Sequence, residues 1–246
     1  MDDIGDTRYA VVSCHVERLL DDRVWPLLAA WLRARPGGFP VVSLLRPADS
    51  SAGEDESRWL ARAREAAALG PVGLHTHWTG PTHARPTSGR EEPAARVLRE
   101  GRALAALGLP LTAFCGGGWY TDELVAAAVA ELGLLDCTPR LRRPHYLPAG
   151  EHWAQLEEPA TLAVDGRDLA SVPTTHSIGE LARAVLTPGA LREPVVHAYF
   201  HDTDLLDARR RLVLRGALTV LRRRRRPALL TEVPVRAARI WGDVAR

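Results

Sequence analysis

The stretch YAVVSCHVE at residues 9–17 joins an apolar run to a polar end. Residues 9–14 are apolar or small, as expected for a strand that is covered on both faces of a parallel sheet. His15 and Glu17 follow directly, and residues i and i+2 of a strand point to the same side. The stretch therefore predicts a buried strand that carries an imidazole and a carboxylate to one point at its end.

The rest of the chain repeats this alternation of short apolar runs and amphipathic stretches. Further strands are predicted at residues 40–45, 72–75, 111–115, 134–137, 169–172, 195–200 and 228–230, and helices at residues 21–35, 57–69, 91–107, 121–132, 178–186 and 204–225. Asp204 is expected to begin the last helix, and residues 79–90 to form a surface loop. Alternating strands and helices are typical of a parallel sheet with helices outside. Seven or eight such units in a chain of this length predict a single-domain α/β barrel over residues 1–246.

Composition excludes several classes of protein. The 246 residues are 46% hydrophobic and 25% charged, which is ordinary for a globular protein, and a net charge of +2 gives no global attraction to nucleic acid or membrane. All 32 basic residues are arginine, so neither a lysine Schiff base nor a P-loop lysine is available. The arginine run at residues 222–226 ends a predicted helix, where cations are favoured, and we expect no nucleic-acid partner.

Several features of the sequence also indicate the cellular location of the protein. No apolar run approaches the roughly 20 residues of a membrane-spanning helix, so we expect no membrane span. The acidic start lacks the basic and apolar segments of a secretory signal. Cys14, Cys115 and Cys137 are far apart and form no C-x-x-C pair, which is typical of reduced thiols that serve mainly in packing. We therefore expect a cytoplasmic protein.

Polar side chains gather at the predicted carboxyl ends of the strands, where barrels of this kind carry their active sites. Five of the nine histidines fall there, namely His15, His75, His77, His176 and His201. Two histidine nitrogens and one carboxylate oxygen are a common catalytic zinc set that leaves a position for water. Glu17, His75 and His77 are therefore the predicted ligands of one divalent metal, with Zn2+ preferred.

Other residues at these strand ends have two interpretations. Trp78, Trp119 and Tyr120 either stack on a sugar ring or fill the top of the core. The glycines at residues 116–118 either cradle a phosphate or allow a tight turn. Asp202 either takes part in catalysis or caps the helix that follows it.

These segments together resemble the polysaccharide deacetylase (NodB-type) family over about residues 9–230. The similar segments are VVSCHVE at 11–17, the histidine-bearing GLHTHW at 73–78, FCGGGWY at 114–120 and YFHD at 199–202. The resemblance implies a distorted barrel of about seven strands and a divalent metal, usually zinc, that serves the removal of acetyl groups from N-acetylated sugars.

Three features depart from the family pattern. His15 stands where the family usually has an aspartate that acts as general base, and Cys115 stands where it usually has an arginine. The second motif often spaces its histidines three apart, whereas His75 and His77 are two apart, with His83 as an available substitute.

The combined interpretation is a metal-dependent amide hydrolase that acts on a small or carrier-linked amino sugar. His15 is the predicted base or, alternatively, a fourth ligand, and His201 is the predicted acid, with Asp202 as a competing polar group. The predicted substrate-binding residues are Trp78, Trp119, Tyr120 and His176. Two other functions stay open: a catalytically inactive relative that binds a carbohydrate or a partner protein, and a different metallohydrolase, such as one that cleaves a phosphoester.

Overall fold

A computed structural model describes residues 8–87, 91–235 and 237–246. Within them, strands and helices alternate along most of the chain. The strands are β1 (Tyr9–Val16), β2 (Val41–Leu45), β3 (Val72–Thr76), β4 (Leu111–Gly116), β5 (Leu135–Asp136), β6 (Ala160–Val164), β7 (Arg167–Ser171), β8 (His176–Ser177), β9 (Val195–His201), β10 (Arg226–Pro227) and β11 (Ala237–Ile240). The helices are α1 (Trp25–Ala34), α2 (Glu56–Leu69), α3 (Pro93–Ala106), α4 (Glu123–Glu131), α5 (Ile178–Leu186), α6 (Ala208–Arg222) and α7 (Trp241–Val244).

One sheet runs through the fold in the order β11–β6–β7–β5–β4–β3–β2–β1–β9–β8, with β10 paired to β1. Its neighbouring strands are parallel except in the β6–β7 hairpin. Between β7 and β8 the chain passes along the end of β5, where the Thr174 N–H donates to the Pro139 carbonyl at 2.8 Å and Thr174 pairs with Arg140 in a parallel bridge. This contact closes the strands from β5 to β8 into a distorted (β/α) barrel, as the alternation of elements predicts.

Side chains alternate across the barrel wall. In β1, Val12 and Cys14 pack in the cluster that contains the helix residue Leu28, whereas Val11 packs with residues of the barrel interior such as Ala113. Because the period of a strand is two residues, His15 lies on the interior side with Val11. The same alternation holds in β4, where Phe114 packs outward and Cys115 inward.

The last long helix begins later than the sequence predicts. Asp204 lies in a 3-10 turn (Asp202–Leu206), and its carboxylate accepts the backbone N–H of His201 at 2.8 Å. Asp207 caps α6 instead, since its side chain accepts the N–H of Arg209 at 2.8 Å. The prediction for Asp204 is therefore wrong, because this carboxylate is already engaged at the end of β9.

Two further segments differ from the prediction. Strands β6 and β7 form an antiparallel hairpin around Asp165 and Gly166, whose φ values of 46° and 69° fit the Asp-Gly signal of a two-residue turn. The predicted strand at residues 228–230 is replaced by the short β10 and a 3-10 turn (Leu230–Glu232).

Among the helices of the described ranges, none combines the length and the apolar character needed to cross a membrane.

Candidate metal centre and active-site cavity

Three strands bring polar side chains to the carboxyl end of the barrel. Glu17 Oε1 lies 3.3 Å from His77 Nε2, 3.6 Å from His75 Nε2 and 3.6 Å from His201 Nε2. The ring centroid of His15 lies 4.5 Å from that of His75 and 5.1 Å from that of His201. The ends of β1, β3 and β9 therefore meet at one point, as their spacing in the sequence predicts.

Backbone carbonyl groups determine which nitrogen of His75 and of His77 faces Glu17. His75 Nδ1 lies 2.8 Å from the carbonyl oxygen of Cys115, and His77 Nδ1 lies 3.0 Å from that of Pro81. Because a carbonyl oxygen can only accept, both Nδ1 atoms carry a proton, and in a neutral ring Nε2 then presents a lone pair. Two lone pairs that face one carboxylate oxygen repel it unless a cation lies between them. Histidines anchored to carbonyls in this way are the usual ligands of protein-bound metals.

The separations between Glu17, His75 and His77 fit a divalent ion. One ligand atom from each residue lies within 4.8 Å of the others. Ligand atoms at about 2.0–2.2 Å from a tetrahedral zinc ion lie about 3.3–3.6 Å from one another. The two distances from Glu17 Oε1 to the imidazole nitrogens, 3.3 and 3.6 Å, match this separation. The buried His77 Nε2 has no hydrogen-bond partner among the described residues, as expected for a nitrogen that binds metal.

The charges around Glu17 also favour a cation. Burial raises the pKa of the Glu17 carboxyl, but the imidazoles of His75 and His77 outweigh it and hold that pKa well below its usual range. Burial lowers the pKa of His77 and keeps this ring neutral at pH 7. Burial acts in the same direction on His75, but the contacts with Cys115 and Glu17 raise its pKa to about 10. The site therefore attracts a positive charge, which a metal supplies in place of a proton.

His15 lies deeper than the other histidines of the site. It is 3% exposed, and its Nε2 lies 3.6 Å from Cys115 Sγ. Burial lowers the pKa of His15 to about 4, so the ring is neutral at pH 7 and is a weak base. His15, His75 and Cys115 form a second group whose ligand atoms lie within 4.8 Å of one another. His15 also lines the cavity at Glu17, so its position is compatible with both of its predicted roles.

His201 faces the cavity, whereas Asp202 does not. The His201 side chain is 37% exposed and lines the cavity beside Glu17. Asp202 is fully buried, and its two carboxylate oxygens accept the backbone N–H groups of Arg18 at 2.7 Å and Thr203 at 2.8 Å. Burial raises the pKa of Asp202 to about 6. Because Asp202 holds the chain that follows Glu17, we withdraw it as a catalytic residue.

A cavity of about 460 Å3 opens at this cluster, a size suited to a small ligand. Its lining includes residues 82–87 of the predicted surface loop, and residues 88–90 of that loop lie outside the described residues. Trp119 and Tyr146 also line it, and the indole N–H of Trp119 donates to the Tyr146 hydroxyl. Sequence reasoning missed Tyr146, although an aromatic residue between two prolines was an available signal. In the structure this residue is 55% exposed.

The other predicted substrate-binding residues lie elsewhere. Trp78 is 2% exposed, and its indole N–H donates to the Gly117 carbonyl at 3.1 Å, so it belongs to the core and the sugar-stacking prediction is withdrawn. The Tyr120 hydroxyl donates to Asp122 at 2.6 Å beside α4. His176 lines a neighbouring cavity and not the one at Glu17.

The glycines after β4 serve close packing. A Cβ atom on Gly117 would lie 2.6 Å from the Thr76 carbonyl oxygen, and one on Gly116 would lie 2.2 Å from that of Tyr120. Gly118 has a φ of +60°, which favours glycine. The tight-turn interpretation therefore accounts for all three glycines.

Comparison by sequence finds no matching protein-family model and no matching curated protein. Comparison by structure finds the family 4 carbohydrate esterase from Streptomyces lividans, solved in complex with acetate. It aligns with a TM-score of 0.50 and 13% identity over 94% of this chain and 98% of the esterase. The 4-alpha-glucanotransferase from Thermococcus litoralis aligns with a TM-score of 0.53 and 11% identity over 94% of this chain, which spans only 39% of that protein. The chain therefore has the distorted barrel fold of these carbohydrate-active enzymes, and the predicted resemblance to polysaccharide deacetylases is confirmed for the fold.

Proposed function

We propose that this protein is a metal-dependent hydrolase that removes the acetyl group from an N-acetylated sugar or sugar-containing small molecule. The observation that carries the proposal is the Glu17–His75–His77 set, which lies at the end of a barrel shared with a carbohydrate esterase. Two nitrogens and one carboxylate oxygen are the ligands that catalytic zinc prefers, and zinc is therefore the proposed metal.

Each residue of the site has a separate role in the proposed reaction. Glu17, His75 and His77 would hold a divalent metal, which when bound would polarise the amide carbonyl and activate a water molecule. His15, which is neutral at pH 7, takes up the proton of the water, and His201 donates a proton to the leaving amine. Asp204 holds the backbone N–H of His201 and so fixes the end of β9 beside Glu17.

The cavity supports a sugar ring as the substrate. Trp119 is 4% exposed and Arg140 packs on its ring, whereas Tyr146 is 55% exposed and lines the same cavity, so the Tyr146 ring is the proposed platform for the apolar side of a sugar. The exposed side chains of Thr82, His83 and Thr87 line the same cavity and offer polar groups to the hydroxyls of a sugar. We also propose a single-domain, cytoplasmic protein, because the three cysteines are free and buried.

The test uses protein purified without chelators. We expect about one divalent ion per chain and release of acetate from N-acetylated sugars. Glu17→Gln is expected to lose the bound ion and the release of acetate, because an amide is a poor metal ligand. Glu65→Gln, on the exposed face of α2, is the matched control. Absence of metal in the wild-type protein, or equal activity of the Glu17 and Glu65 variants, would overturn the proposal.

The second candidate function is a catalytically inactive protein that binds a carbohydrate. The specific observation in its favour is that His15 is buried with its Nε2 3.6 Å from Cys115 Sγ, where the family usually has an aspartate and an arginine. This candidate predicts that an N-acetylated sugar binds to the metal-loaded protein without any release of acetate.

A further inference from the structure

A second cavity, of about 660 Å3, adjoins the metal centre. Trp119 and Tyr146 line both cavities and thus form the wall between them. Tyr199 also lines the second cavity, and its ring stacks on that of His15 with centroids 5.1 Å apart. The two cavities therefore adjoin at these side chains, and a ligand that extends past the exposed Tyr146 from the metal centre would enter the second space.

Positive charge dominates the second cavity, which we call the arginine cavity. Its lining contains five arginines, Arg140, Arg142, Arg143, Arg183 and Arg192, and two carboxylates, Glu180 and Glu193. The Glu180 carboxylate accepts the backbone N–H of Ser177 at 2.7 Å in the cap of α5. The Glu193 carboxylate faces His176 at 4.0 Å. Five guanidinium groups against two carboxylates leave an excess of positive charge that an anionic ligand neutralises.

Arg140 is the group that points most directly to a ligand. The residue is 5% exposed, and its guanidinium carbon lies 4.5 Å from the Trp119 ring centroid and 5.2 Å from that of Tyr199. The Nη2 atom lies 3.6 Å from a Glu180 oxygen, but Nε and Nη1 are buried and have no hydrogen-bond partner among the described residues. Two buried N–H groups without hydrogen-bond partners are costly, and the planar fork of a guanidinium matches the oxygens of a phosphate group.

We propose that the arginine cavity binds a phosphate or diphosphate group carried by the substrate. This inference rests on the proposed function, and it narrows the substrate class to N-acetylated sugars that are joined to a phosphate-bearing carrier. A sugar ring placed against Tyr146, which lines both cavities, would direct its acetamido group to the metal centre and its phosphate to Arg140. A diphosphate fits better than a carboxylate because several guanidinium groups line the cavity.

Pyrophosphate is the first probe, and calorimetry measures its binding. Diphosphates also bind metals, so the titration uses His75→Ala protein, which is expected to lack the metal. We expect binding that weakens with added salt and falls at least about tenfold in His75→Ala/Arg140→Gln protein, because this variant loses charge-assisted hydrogen bonds to the anion. His75→Ala/Arg209→Gln protein is the control, because Arg209 is exposed on α6. No binding to His75→Ala protein, or equal binding by both double variants, would overturn the inference.

A second substitution tests the same site if the first one prevents folding. If circular dichroism shows that Arg140→Gln unfolds the protein, Arg183→Gln on the exposed side of the cavity replaces it. We expect a weaker but measurable loss of pyrophosphate affinity in that variant. Unchanged affinity in a folded Arg183→Gln protein would then contradict the proposed site.

Substrate assays identify the carrier and separate this inference from the proposed function. Acetate release is compared for free N-acetylglucosamine, a nucleoside diphosphate N-acetylglucosamine, and vesicles that contain a prenyl diphosphate N-acetylglucosamine. We expect one of the two diphosphate substrates to be preferred, and the preference to be lost in Arg140→Gln. Pyrophosphate binding without any acetate release would contradict the proposed deacetylase function and support the proposed phosphate site. Equal rates on all three substrates would contradict the proposed phosphate site and support the proposed deacetylase function.

Discussion

At the residue scale, His75 connects the barrel interior to the metal centre through its two ring nitrogens. Its Nδ1 donates to the Cys115 carbonyl, and its Nε2 faces Glu17. We predict that His75→Ala removes the metal and leaves the barrel folded, because a catalytic ion is seldom the main source of stability in a chain of this size. Metal analysis and circular dichroism test this, with the exposed His152→Ala as control. A His75→Ala protein that retains its metal would show that other residues bind the ion.

His201 and Asp202 are adjacent, but their environments predict different effects. His201→Asn is expected to keep the metal and the fold while turnover falls by a factor on the order of 10² to 10⁴, as for loss of a general acid. Asp202→Asn is expected to destabilise the fold by about 1–3 kcal/mol, because an amide N–H would face one of two backbone donors. Rates and unfolding curves of both variants test this. Normal turnover in His201→Asn, with activity lost only in Asp202→Asn, would reverse the assignment.

Asp136 predicts a pH dependence of stability. Burial raises the pKa of Asp136 to about 7, and one of its oxygens has no hydrogen-bond partner among the described residues. Because the folded pKa lies above the unfolded value near 3.9, this group lowers stability as the pH rises from about 4 to 7, by roughly 4 kcal/mol. Asp136→Asn is expected to flatten this slope. Urea unfolding at several pH values measures it, and parallel profiles for the two proteins would contradict the prediction.

The metal-ligand candidates are the part of the site that sequence alone could predict. His15 with Glu17, and His75 with His77, share a face because the strand period is two, which is a local property. The burial of Trp78 and Asp202 depends on which loop covers them, and no local pattern records this. The role of Arg140 could not be predicted for the same reason, because its stacking partners Trp119 and Tyr199 are distant in the sequence.

At the element scale, the close approach of β3 and β4 positions the metal ligands. A Cβ atom on Gly73 would lie 2.5 Å from the Ala113 carbonyl oxygen, next to an irregularity in the pairing of the two strands. We predict that Gly73→Ala destabilises the fold by about 1–3 kcal/mol and lowers the metal affinity, because β3 must move. Gly216→Ala in α6, where a Cβ meets no atom within 4 Å, is the control. Equal unfolding free energies for the two variants would contradict this account.

Elements with strong local signals were predictable, and those that depend on tertiary pairing were not. The helix predicted at residues 178–186 is observed with the same bounds, because Ser177 and Glu180 form a capping box. The hairpin of β6 and β7 was missed although its Asp-Gly turn is a local signal. The short β10 was misplaced because only its pairing with β1 defines it.

At the scale of the whole molecule, closure of the barrel brings the two cavities together. The contact between Thr174 and Arg140 joins the segment after β5 to the segment that leads into β8. It places Arg140 against Tyr199 in β9 and against Trp119 after β4, and Trp119 lines both the metal centre and the arginine cavity. The barrel geometry thus links the proposed chemistry to the proposed substrate class.

The central claim is that a metal held by Glu17, His75 and His77 drives release of acetate. The most direct measurement follows acetate from a preferred N-acetylated substrate before chelation, after chelation and dialysis, and after addition of Zn2+. The account predicts that activity is lost with the metal and returns with it in the wild-type protein, but does not return in His75→Ala. Activity that persists in fully chelated protein, or a metal-loaded protein that releases no acetate from any of the three substrates, would contradict it.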